Sequence, residues 1–291
     1  MHDSGENLVY YHLPNDKEFS LEFVNPDRSV VEDQQQGIEG RTLVREYELE
    51  QTVYALYTAR QQALGPAEDL DYDFSAEMES FDAVDRTIAI RILGLFRTII
   101  DQTYEEERKK LRAYKRVDLD KIPDALGYVN WDGTVPEIGG SLLSNLILTH
   151  PLPNANHRTS LALLELYIQA HRYGFDLPEM ATEEFEWRGW ANQRIRESKR
   201  LLTVRRNASI FYYLWKFGCD VVERKGSIQI RLETYALDIP QHIAYDKYGS
   251  EHEELCTDLT EQILYREEYS ELVNEGGMTK KQFAKRLREM P

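Results

Sequence analysis

The stretch that most constrains the fold is NHRTSLALLELYIQAHRYG, residues 156–174, which is apolar over most of its helical surface. Leu161, Leu164 and Ile168 mark one face while Leu163, Leu166 and Tyr167 cover others, so other elements must enclose this helix. A second apolar helix precedes it at about 137–149, where Ile138, Leu142 and Leu146 align with Leu143 and Ile147 beside them. The break between them, HPLPNA, is too rich in proline to stay helical. Two apolar helices joined by so short a loop need amphipathic partners. One spans about 82–114, with Ile88, Ile92, Leu95, Phe96 and Ile99 at spacings of three and four; its charged end, YEEERKKLRAYKR, should project into water.

The remainder reads as mainly helical. Leu43, Tyr47, Val53, Tyr54 and Tyr57 fall near one side of a helix from 41 to about 64, ended by Gly65-Pro66. The acidic run 68–85 holds no Lys or Arg and reads as solvated surface. Thr182 with Glu183 and Glu184 starts another helix, 208–217 forms one more, and 250–290 holds two pieces around Gly276-Gly277, with Thr279 capping the last. The basic character of that last helix is structural. Strand signals are few: EFSLEFV before Asn25-Pro26-Asp27, a short hairpin at YVNWDGTV, and the alternation of Ile228, Ile230 and Leu232. DQQQGIEG reads as a loop or linker. Arg188, Arg194, Arg196, Lys199, Arg200, Arg205 and Arg206, with Trp187 and Trp190, form a basic stretch, read as a solvated helix face pairing with the acidic run.

At 291 residues, 42% hydrophobic, the chain can bury a sizeable core. A net charge of −16 argues against non-specific nucleic-acid binding and against anionic membranes. Two cysteines exclude a disulfide framework and suit a reducing compartment. With no signal-like start and no apolar run of membrane length, a cytoplasmic protein is expected.

Chemistry concentrates in HPLPNANHRT, residues 150–159, which runs into the start of the apolar helix. First-turn N–H groups around Ala155, Asn156, His157 and Arg158 would form an anion site favoured by the helix dipole. Asn156 offers an amide and Arg158 a forked guanidinium suited to phosphate. His150, ahead of this nest, could take a proton from an attacking hydroxyl. Each residue alone would suit a helix end equally well. Four polar groups within nine residues between two apolar helices single out the loop.

This loop resembles the signature of the Fic/Doc family, through His150, Pro151, Ala155, Asn156 and Arg158, with Thr159 and Leu161 leaning toward the Doc branch. The resemblance covers roughly residues 82–175. It implies a mainly α fold: a Fic/Doc-type helical bundle with a small β-hairpin flap and a C-terminal helical extension containing a short β element. The expected division is an N-terminal segment 1–40, a helical core 41–206 and an extension 207–291. It also implies transfer of AMP or a phosphoryl group from ATP to a protein hydroxyl, with His150 as general base and 154–158 as the phosphate site. A protein substrate and an antitoxin or inhibitory protein are the implied partners; self-association stays open. Asn154 stands where a Mg²⁺-holding carboxylate is usual, so Mg²⁺ would be weakly held or arrive with the nucleotide. His157 adds a side chain inside the phosphate pocket. These departures leave a second reading, a catalytically impaired protein that binds a nucleotide or another protein.

Overall fold

The computed structural model describes residues 6–59, 64–69, 74–108, 110–177 and 185–290, with no side chains described at 106, 107 and 185–191. In chain order the elements are β1 (Leu8–Tyr10), β2 (Phe19–Asn25), α1 (Arg28–Gln36), β3 (Thr42–Glu48), β4 (Thr52–Ala59), β5 (Gly65–Pro66), α2 (Ala83–Glu107), β6 (Arg112–Ala113), α3 (Lys121–Gly127), α4 (Val135–Thr149), α5 (Asn156–His171), α6 (Phe185–Lys216), β7 (Val221–Arg224), β8 (Ile228–Arg231), α7 (Gln241–Arg266) and α8 (Lys280–Glu289). They fall into two units, residues 1–61 with 195–250, and residues 62–194 with 251–291.

The expected helical bundle of Fic/Doc type is not what forms. Three small sheets accompany the helices, and the fold is mixed α/β. Most of the β structure lies in the first unit, where β2–β4–β3 is antiparallel and β1 pairs parallel with β7 ahead of the β7–β8 hairpin. Residues 41–59 are therefore strands, not a helix. Leu43 and Tyr47 stand four apart, as do Val53 and Tyr57, which imitates a helix; the β-branched and aromatic run gains more by pairing β3 with β4 and β4 with β2. Asp27 accepts from the Ser29 N–H at 2.9 Å and caps α1, so the first half of the stretch read as a linker is helical.

Val9, Leu21, Val24, Tyr57, Phe211 and Leu214 are buried together and join both sheets of this unit to α6. Two phenols inside it satisfy each other: the Tyr57 hydroxyl donates to the Tyr10 carbonyl at 2.5 Å and lies 2.7 Å from the Tyr47 hydroxyl. Burial pushes the Tyr57 phenol well above its ordinary value. α6 breaks its helical geometry at Asn207, whose amide donates to the Thr203 carbonyl at 2.7 Å. Three arginines of the basic stretch brace main chain. Arg196 donates to the Gly226 and Ser227 carbonyls of the hairpin turn at 3.1 and 2.7 Å, Arg200 to Gln229 at 2.9 Å, and Arg205 to Tyr245 at 2.9 Å. The side chains of Trp187, Arg188 and Trp190, and the expected helix start at Thr182 to Glu184, lie outside the described residues.

In the second unit the most enclosed element is α4, not α5 as the spread of apolar residues around α5 suggested. Every residue of α4 from Val135 to Ile147 except Glu137 is buried, whereas Leu161, Ala162, Glu165 and Leu166 of α5 are only half-buried. Small residues let α4 take that place. A Cβ on Gly140 would come within 2.4 Å of Thr257 Cα, so the backbones of α4 and α7 touch there. Ser144 and His252 join the same pair of helices, Oγ to Nδ1 at 2.8 Å. Residues 128–134 turn between α3 and α4 and do not make the expected hairpin; Asn130 accepts from the Asp132 N–H at 3.2 Å, and Glu137 accepts from the Thr134 N–H at 2.7 Å. α8 carries a capping box of Thr279 and Gln282 and buries Phe283, Ala284 and Leu287. Its carbonyl end is closed by Arg91 on α2, which donates to Leu287 O at 2.7 Å and Met290 O at 2.5 Å.

Both cysteines are buried, Cys219 in the first unit and Cys256 in the second. Burial pushes the Cys219 thiol up to about 12 and that of Cys256 higher still. The thiolate is the reactive form, so iodoacetamide at pH 8 is expected to leave the native protein unlabelled and to modify two sites after denaturation. Rapid native labelling at either thiol, read by mass spectrometry, would contradict this burial.

Candidate functional site

The apolar sequence of α4 ends because His150 adopts the left-handed conformation, φ 53°, and α5 begins on Ala155, also left-handed at φ 51°. Neither is glycine, and each such residue costs about 1 kcal/mol or more, a strain that tends to gather at working sites. Lys115 holds the first of them by donating its ammonium to the His150 carbonyl. Asn156 holds the loop between: its Oδ1 accepts from Leu152 N–H at 3.0 Å and its Nδ2 donates to Leu152 O at 2.9 Å. Asn156 is thereby buried, 3% exposed. Its amide works as the loop's brace, not as a phosphate donor.

The same Nδ2 lies 3.3 Å from both ring nitrogens of His150, which is half-buried. An amide donor engages imidazole through a lone pair, the form in which histidine can accept a proton. Arg158 is exposed overall, and its Nη1 donates to Thr103 Oγ1 on α2 at 2.8 Å. His157 is half-buried on the first turn of α5. Ala155, at the N-cap of α5, supplies no side-chain cap. His150, Ala155, Asn156, His157 and Arg158 therefore do gather around one helix start.

Asn154 does not act as a ligand in waiting. Its Oδ1 accepts from Ala155 N–H at 2.7 Å and its Nδ2 donates to Arg112 O at 2.9 Å. The loop has no carboxylate, and among the described residues no group of three His, Cys, Asp or Glu could hold a metal. These residues do not fit a protein-held Mg²⁺.

Sequence reasoning missed the segment beneath the loop. The expected charged projection after residue 107 instead turns back: Tyr114 N–H donates to Pro153 O at 3.3 Å and Asp118 N–H to Pro151 O at 2.9 Å. β6, within that segment, pairs with β5. Arg112, Lys115 and Arg116 are thus brought alongside the loop by main-chain bonds, which leave no side-chain pattern to read. The only signal was the cationic run LRAYKR itself.

The loop between two left-handed residues, His150 at the end of α4 and Ala155 at the start of α5, thus gathers a histidine, an arginine and a basic segment at one helix start in a mixed α/β protein. The chain belongs to a family of unknown function (DUF8172), which matches residues 5–291. No curated protein and no solved structure matches it. Among the described residues no helix is long and apolar enough to cross a membrane.

Proposed function

We propose that residues 150–158 receive the phosphates of a nucleoside triphosphate such as ATP and that the protein passes AMP or a phosphoryl group to a hydroxyl side chain of a target protein. The observation that carries this reading is the uncapped start of α5, with His150 and Arg158 beside it. In the step, a target hydroxyl attacks the α or γ phosphorus and His150 takes its proton. The bond to the leaving pyrophosphate or ADP breaks, while first-turn N–H groups and Arg158 face the developing charge. The reading rests on the loop and not on the fold. It sets the reaction in the cytoplasm and allows an antitoxin or inhibitory protein as a further partner.

A second reading is supported by Asn154, whose amide is engaged at both ends: the loop binds a nucleotide or protein without transferring anything. The two separate in one experiment. The protein and a His150→Ala variant are incubated with Mg²⁺, cell extract, and ATP labelled at either the α or the γ phosphate. Transfer of α label indicates AMP transfer, and γ label alone indicates phosphorylation; His150→Ala should lower either by about a hundredfold or more. No label above the His150→Ala background, with ATP still bound by both proteins, supports the binding reading. Absence of ATP binding sinks the transfer reading and the nucleotide form of the binding reading, and leaves only protein binding.

A further inference from the structure

The far end of α5 meets α8 at a second cleft, of about 520 Å³, about 22 Å along the helix from the loop by the rise per residue. Its size is in the range of small-molecule sites. His171 lines it with a side chain only 6% exposed, and the ring Nε2 is buried with no hydrogen-bond partner. A buried ring nitrogen left unpaired is costly, so it asks for an explanation. The groups facing this imidazole are Glu275, 3.9 Å from Nδ1, and Arg286 of α8. Burial pushes the ring below its ordinary value and keeps it neutral near pH 7.

Charges at the cleft are split by sign. Glu289 lies near both Arg286 and Lys285, at 3.6 and 3.9 Å, and neutralises one of them. One cation on α8 and the carboxylate of Glu275 are then left on the same cleft. An anion alone would meet Glu275 and a cation alone would meet α8. A molecule carrying both signs a few ångströms apart complements both, and the Gln282 amide, whose oxygen serves the α8 cap, keeps its N–H₂ for a ligand.

We propose that this cleft binds a small zwitterion, a free α-amino acid or a dipeptide, with its ammonium on Glu275 and its carboxylate on the one net positive charge that Arg286 and Lys285 share beside Glu289. The proposal stands apart from the loop reading and does not need it.

Calorimetric titration of the full chain with each of the twenty L-amino acids and glycylglycine, and with acetate and methylammonium as single-charge probes, tests it. Saturable binding of at least one zwitterion with Kd below about 1 mM is expected, with neither single-charge probe binding. Glu275→Gln and Arg286→Gln alter half-exposed or more exposed side chains, and each should weaken that binding about tenfold or more. No saturable heat from any zwitterion up to about 10 mM overturns the proposal. So does equal binding of acetate or methylammonium, or affinity unchanged in both variants with circular dichroism confirming their fold.

Discussion

Gly140→Ala should be the most destabilising single methyl that can be added to the second unit. The new Cβ would lie 2.4 Å from Thr257 Cα and Oγ1 and 2.5 Å from Thr257 N. Two of those atoms are backbone in the middle of α7, so no rotamer change relieves the clash, and α4 and α7 must move apart. Separation would also stretch the buried Ser144–His252 contact. Overpacking of this kind costs about 3 kcal/mol, or a thermal midpoint lowered by roughly 6–12 °C. The matched control is Gly94→Ala on α2, where nothing lies within 4 Å of the new methyl. There the better helix propensity of alanine should give a gain of up to about 1 kcal/mol. Differential scanning calorimetry on both variants checks the contrast. If Gly140→Ala melts within 2 °C of the parent, by about half a kcal/mol, the α4–α7 approach described above is wrong.

The second large effect is expected at Asn156→Ala. Its amide is the partner of both main-chain groups of Leu152, a residue with no exposure to solvent. Removing it orphans a buried N–H and a buried C=O together, at about 1–3 kcal/mol each. The two left-handed residues flanking the loop then lose their restraint. A loss of about 2–4 kcal/mol is expected in urea unfolding, with an unchanged slope, and nucleotide binding should fall with it. Asn154→Ala loses two bonds as well, but at a half-buried position where water can replace them. It should cost about 1 kcal/mol or less. Equal losses at the two asparagines would mean that Asn156 is not the brace of the loop.

These two positions show what could be read from residues alone. Helices α4, α5 and α8 were legible because apolar spacing and the Thr279 cap are local signals, and β8 was legible from its alternation, though its partner β7 was not. The site's residues were equally visible, since they sit within nine positions. What each one does was not. Asn156 reads as a phosphate donor until its geometry shows both ends of its amide turned inward to Leu152. The order of burial between α4 and α5 was hidden too. It is set by how closely helices approach at Gly139 and Gly140; the spread of apolar residues around α5 drew attention there, although α4 is the more hydrophobic of the two. β3 and β4 were misread because their state is decided by pairing with each other and by the pairing of β4 with the distant β2, and not by their own spacing.

One pairing has a consequence for how the chain is made. β1 lies parallel to β7, with Leu8 opposite Val221 and Tyr10 opposite Glu223. Synthesis runs from the N-terminus, so the second residue of each pair leaves the ribosome some two hundred codons after the first. At about 5–20 residues per second that is a wait of roughly 10–40 s. Until then β1 and the apolar faces of β2 and β4 lack part of their cover, and the first unit cannot close. Most of the second unit emerges during the same interval. A nascent chain stalled before residue 221 should therefore be the species most dependent on chaperones.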